Sequence, residues 1–87
     1  MSNLIIVIGS VTSAVRTEKY LSSSGIINTS VIHTPTSIKT GGCSYSIRTP
    51  LQNLQIIRKL MYKNNFRVKG LYSETFEKGE RVYRAIS

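Results

Sequence analysis

Leu4 to Ile8 is an unbroken apolar run bounded by Asn3 and Gly9. Rich in isoleucine and valine and too short for a helix, it predicts a central strand buried against the core. The pattern then changes period. Ser10 offers an N-cap oxygen, Gly25 a left-handed stop, and Val11, Ala14, Val15 and Leu21 recur at three- and four-residue spacing between them, which predicts a helix over 11–23. Glu18 falls inside that stripe, seven residues after Val11 and four after Ala14. A carboxylate there requires a partner or an escape to the helix edge, and Arg48 is the expected partner.

Ile26 to His33 predicts a second strand, closed by Thr34-Pro35, and Thr36 to Gly42 lacks any regular period and reads as a loop. Ser44 to Thr49 resumes as a strand with Tyr45 and Ile47 on one face and Ser44, Ser46 and Arg48 on the other. Thr49-Pro50 has the form of a helix start, with a capping oxygen before a proline at the first helical position. Leu51, Leu54, Ile57, Leu60 and Met61 supply the buried side of that helix, opposite Gln52, Gln55, Lys59 and Lys63, and it ends near Asn64-Asn65. Val68 to Glu74 and Arg81 to Ile86 complete the strands, joined by a charged connection, Thr75 to Glu80.

This order predicts an α+β fold: a ferredoxin-like βαββαβ arrangement, an antiparallel sheet with two helices on one face and a C-terminal hairpin strand. A doubly wound parallel sheet would need a further crossover helix. Residues 1–87 form a single domain on this reading, with room for one modest core and a shallow site. Edge strands at Ile26 to His33 or in the terminal hairpin leave a homodimer by strand pairing open.

Composition alters the picture in two ways. The formal net charge is +8, and between residues 58 and 69 Arg58, Lys59, Lys63, Arg67 and Lys69 stand with no acid among them. Such a patch suits nucleic acid, an acidic protein surface or a small anion, or simply a solvated helix face. The first apolar run falls far short of the roughly 20 residues that span a bilayer, and it lacks a basic leader. With a lone cysteine, which fits a reducing compartment, the expected location is cytoplasmic, with no membrane partner.

The candidate chemistry is narrow. The chain contains no Asp, and one Cys with one His cannot assemble a zinc site, so no metal and no cofactor are expected. Glu74, Glu77 and Glu80 fall in what reads as a solvated turn. Thr40-Gly41-Gly42-Cys43-Ser44 joins a glycine pair to the only thiol. Lys39 and Arg48 flank it, and successive glycine N–H groups can form an anion-binding nest, conditions that favour a thiolate. The bland alternative is a buried, inert cysteine. His33 is a candidate base for that thiol, with a solvated or backbone-bonded strand-end histidine as its alternative. Tyr45, Tyr62, Tyr72 and Tyr83 could stack bases, yet Cys43 to Arg48 carries no RNA-recognition signature.

The helix with Glu18-Lys19, then Gly25-Ile26, Thr34-Pro35, Gly42-Cys43 and Ile47-Arg48, taken in that order, resemble the small bacterial family described as putative selenium/sulfur carrier-like. The resemblance runs from Leu4 to about Tyr83, and the chain departs from the family pattern at Ser44, where glycine is frequent. It implies a compact ferredoxin-like domain in which Cys43 receives sulfur or selenium and hands it to a partner protein. Lys39, Gly41, Gly42, Ser44 and Arg48 would steady the sulfur anion and Glu18 would support the site. On this reading the protein is a carrier or sulfurtransferase-like accessory protein rather than a stand-alone enzyme, with donor and acceptor proteins as partners. The competing reading is a non-enzymatic basic module that binds nucleic acid or an acidic protein through Arg58, Lys59, Lys63, Arg67 and Lys69.

Overall fold

A computed structural model describes residues 2–39, 44–64 and 68–86. In chain order the elements are β1 (Asn3–Gly9), α1 (Val11–Ser23), β2 (Ser30–His33), β3 (Tyr45–Pro50), a 3-10 turn (Leu51–Asn53), α2 (Leu54–Asn64), β4 (Gly70–Glu77) and β5 (Glu80–Ala85). The strands form one sheet in the order β2-β3-β1-β4-β5, every neighbouring pair antiparallel. The architecture is therefore α+β. No helix among the described residues is long and apolar enough to cross a membrane.

β1 lies at the centre because its apolar run can be buried on both sides. Leu4, Ile6 and Ile8 face the helices and meet Ala14 and Leu21 of α1, Ile57 of α2, Ile26 and Ile47 in one buried cluster. Each large aliphatic side chain buried here contributes about 1.5–3 kcal/mol. Ile5 and Val7 point to the opposite, helix-free face and are buried as well.

α1 spans the residues its pattern predicts. Ser10 Oγ accepts from the Ser13 N–H, and at the far end Ile26 N–H donates to Leu21 O while Gly25 N–H donates to Ser22 O. Those two bonds, with Gly25 at φ +90°, make a Schellman stop that also packs Ile26 on Leu21. The buried stripe is turned from the expected one: Ala14, Thr17 and Leu21 are inside, whereas Val11 and Val15 are exposed. Thr17 can enter because its hydroxyl donates to Ser13 O.

Three expected boundaries shift for local reasons. The strand expected over Ile26 to His33 shrinks to Ser30–His33, because Ile26 belongs to the helix stop and Asn28 takes a left-handed φ of 61°. Pro50 does not open α2. It is extended (φ −57°, ψ 140°), ends β3 opposite Asn3, and Thr49 Oγ1 accepts from Asn53 Nδ2 rather than from a backbone donor. The connection expected over Thr75 to Glu80 is mostly strand, since Lys78 (φ 52°) and Gly79 (φ 79°) alone form a two-residue hairpin turn of type I′.

Gly25→Ala tests the helix stop. A methyl there would meet no atom within 4 Å, so the cost is that of the left-handed backbone alone. The variant is expected to lose about 1 kcal/mol, read as a lower urea midpoint at unchanged slope.

Candidate functional site

Alternation along the strands sends Asn3 and Ile5 of β1, Ser46 and Arg48 of β3, Tyr72 and Glu74 of β4, and Arg81 and Tyr83 of β5 to the helix-free face. Glu74 is only 4% exposed, which is unusual for a carboxylate. It is held by three donors. Asn3 Nδ2 donates to Oε1 at 2.9 Å, while Arg48 Nη2 at 2.9 Å and the Tyr83 hydroxyl at 2.7 Å share Oε2. One carboxylate thereby ties β1, β3 and β5 to its own strand.

The electrostatics follow from these contacts. Burial by itself would raise the Glu74 pKa, but the hydrogen bonds from Tyr83, Asn3 and Arg48 and the Arg48 charge outweigh it and hold the carboxyl below the usual range. Tyr83 moves the other way. Burial, then its bond to Glu74 and that charge, push its phenol up, while Arg81 beside it pulls down. On the helix side of the hairpin Arg84 donates to Glu77 at 2.6 Å, and that bond lowers the Glu77 pKa.

The helix-free face is curved enough for its two edges to share one cavity. A space of about 540 Å³ is lined by Pro35, Thr36 and Ser37 after β2, by Arg48, and by Arg81 and Tyr83 of β5. A smaller space of about 130 Å³ adjoins Glu74 and is bordered by the same two arginines. At the start of β3, Thr34 N–H donates to Ser44 O at 2.9 Å and Thr34 Oγ1 donates to Ser44 Oγ at 2.8 Å. Ser46 Oγ lies 2.6 Å from Thr34 Oγ1, and since that hydroxyl's one proton goes to Ser44, Ser46 supplies the other. Thr34 and Ser46 are buried, so this hydroxyl chain fixes Thr34, just after β2, against Ser44 and Ser46 at the start of β3.

The residues singled out by sequence do not all meet. Gly41, Gly42 and Cys43, with Thr40, lie outside the described residues, as does Arg67. Ser44 sits at the hydroxyl lock, and Lys39 is exposed, its N–H donating to Thr36 O. Arg48 does not pair with Glu18. It is on the opposite face of the sheet and bonds Glu74, while Glu18 accepts from the hydroxyls of Ser22 and Thr29 and links α1 to the approach to β2. His33 stacks on Tyr45 at 4.6 Å between ring centroids, as directly paired residues of β2 and β3.

The basic stretch also divides. Arg58, Lys59 and Lys63 are exposed on α2, but Lys69 lies at the end of β1: its N–H donates to Val7 O, and a methyl at Gly9 would stand 3.2 Å from its Nζ. Gly9 pairs with Tyr45, so Lys69 stands at the end of the sheet where β3 begins, a place that linear spacing conceals. Glu74, read from the sequence as part of a solvated turn, is the main residue that reading missed. Its signal was the period-2 pattern Tyr72-Glu74-Phe76, continuous with β4. Among the described residues no three His, Cys, Asp or Glu side chains gather to hold a metal.

A five-stranded antiparallel sheet with two helices on one face and charged residues around an open groove on the other defines a small α+β domain. Residues 3–73 match the family described as "Putative Se/S carrier protein-like", and the chain belongs to that family. No curated protein and no solved structure matches it.

Glu74→Gln is expected to cost about 2 kcal/mol at pH 7, because Arg48 would lose its counter-charge in a largely buried position. The native carboxyl has a depressed pKa, so its contribution is full above the ordinary glutamate value of about 4.3 and is lost as pH falls through the lower folded-state value. Stability measured by urea unfolding from pH 7 down to pH 2 should therefore fall less steeply in acid for Glu74→Gln than for the native chain. A matching acid limb in both would refute the role given to Glu74. At the alkaline end Tyr83, with its pKa raised by burial and by Glu74, should give phenolate absorbance above the ordinary tyrosine range, and Tyr83→Phe should remove that component.

Proposed function

We propose that this protein carries sulfane sulfur or selenium on Cys43 as a persulfide-type adduct and delivers it to an acceptor protein. The support is the family match, which spans Cys43 and the segment around it. The Cys43 thiolate would attack the terminal sulfur of a donor persulfide. One S–S bond forms, the donor's S–S bond breaks, and the donor leaves as a thiol after taking up a proton, with no net oxidation. An acceptor thiol then takes the terminal atom by the same exchange, and selenium would follow the same path.

Lys39, Gly41, Gly42 and Ser44 are the groups proposed to steady the anion, with Lys69 added from its place at the β1 end. Arg48 is engaged by Glu74, so its share would be through the field of the open face rather than by direct contact. Glu18 supports the arrangement at a distance by holding Thr29 ahead of β2. The topology is read as ferredoxin-like, with β5 added at the β4 edge. The protein would act as an accessory carrier in the cytoplasm, its specificity set by donor and acceptor proteins.

Incubation with polysulfide or with a cysteine desulfurase and its substrate, followed by intact-mass measurement, tests the proposal. The native chain should gain the mass of one sulfur atom, reversibly with dithiothreitol, and Cys43→Ser should gain none. Equal adducts on both, or none on either, would rule it out. Charge reversal at Lys59 and Lys63 should leave the adduct unchanged; salt-dependent nucleic-acid binding lost in that variant, without any adduct, would favour the basic-module reading instead.

A further inference from the structure

We infer that the groove on the helix-free face is a binding site for a small tetrahedral oxyanion, of the sulfate, thiosulfate or phosphate type, held between Arg48 and Arg81. The site does not depend on Cys43 or on the carrier reading. Its β5 side, Arg81 and Tyr83, lies beyond residue 73, where the family match ends, so the shared family pattern does not account for it.

The charge balance points to an anion. Arg48 and Arg81 line both spaces, of about 540 and 130 Å³, and Glu74 lines the smaller, giving two cations against one carboxylate. Glu74 is occupied by Asn3, Arg48 and Tyr83. It therefore orients Arg48 and holds the Tyr83 hydroxyl without cancelling the second guanidinium. Among the described residues no ion pair engages Arg81. Arg48 Nε is buried and lacks a hydrogen-bond partner among the described residues, a donor left over from the contact with Glu74.

Shape and donors narrow the class. The wall opposite Arg81 is formed by Pro35, Thr36 and Ser37, which brings hydroxyl-bearing residues to face two guanidiniums. Hydroxyls and forked N–H donors match the oxygens of a tetrahedral anion, and charge-assisted bonds of this kind are the strong ones. The larger space exceeds what a bare oxyanion fills, so the anion is accommodated either free or as the head of a somewhat larger molecule. Ile32 at the β2 edge provides an apolar patch for such an extension.

The test is an NMR titration of the isotopically labelled full-length chain with sodium thiosulfate, at constant ionic strength held by sodium chloride because a net charge of +8 draws anions in general. Saturable shifts are expected at the amides of Thr36, Ser37, Arg81 and Tyr83. Arg81→Gln, which leaves the Glu74 contacts in place, should weaken binding about tenfold. Arg84→Gln removes the same charge from the other face of β5 and should leave the affinity unchanged, as should Cys43→Ser. Sulfate should compete if the site reads the oxyanion. Absence of saturation, shifts confined to Lys59 and Lys63, failure of sulfate to compete, or equal weakening by Arg81→Gln and Arg84→Gln would overturn the inference. Loss of the sulfur adduct with thiosulfate binding intact would refute the carrier proposal alone.

Discussion

The Glu74 carboxylate is the point on which the open face depends. A sheet with helices on one side must shield or solvate its other side, and here Ile5 and Val7 at the centre are too apolar to be left in water. Aliphatic stems and rings could cover them, but those belong to residues with polar ends that need partners. A single buried carboxylate satisfies Asn3, Arg48 and Tyr83 together, so polar side chains from β1, β3 and β5 are paired on this face. The desolvation of Glu74 is offset by three hydrogen bonds and one opposite charge, which is why its proton is held less tightly than that of an ordinary glutamate.

The two faces of the sheet therefore divide the work. On the helix side Leu4, Ile6 and Ile8 with Leu21 and Ile57 provide stability through area removed from water, an interaction indifferent to direction. On the open side the same strands carry directional contacts, and the register of β1 between β3 and β4 decides which polar groups meet. A slip of β4 by one residue would move Glu74 to the helix side, and a slip of β3 would do the same to Arg48. Charge complementarity thus reinforces the register that hydrophobic alternation already selects.

Much of this was legible in the chain. The apolar run at Leu4, the Ser10 cap and the Gly25 stop are local signals, and α1 occupies the residues they mark. The faces of β3 followed from simple alternation, with Ile47 inside and Arg48 outside. What escaped was long-range. Glu18 and Glu74 were equally available as partners for Arg48, and only the placement of α1 on the far face decides between them, because nothing within a few residues of Arg48 distinguishes one carboxylate from the other. The rotated stripe of α1 shows the same limit, since Thr17 can be buried only by returning its hydroxyl to Ser13 O, which hydrophobicity does not register.

The type I′ turn at Lys78-Gly79 has a consequence for the order in which the molecule assembles. Glu74 and Tyr83 are nine residues apart in the chain, whereas Asn3 and Glu74 are 71 apart. Closing the longer span costs about 1.8 kcal/mol more in chain entropy, by logarithmic scaling of loop length. Hairpins close in about 1–10 μs, ahead of such distant pairings. Of the three contacts that hold the carboxylate, the one to Tyr83 is therefore closed at the least cost in chain entropy, and the turn at Lys78-Gly79 is what makes it so.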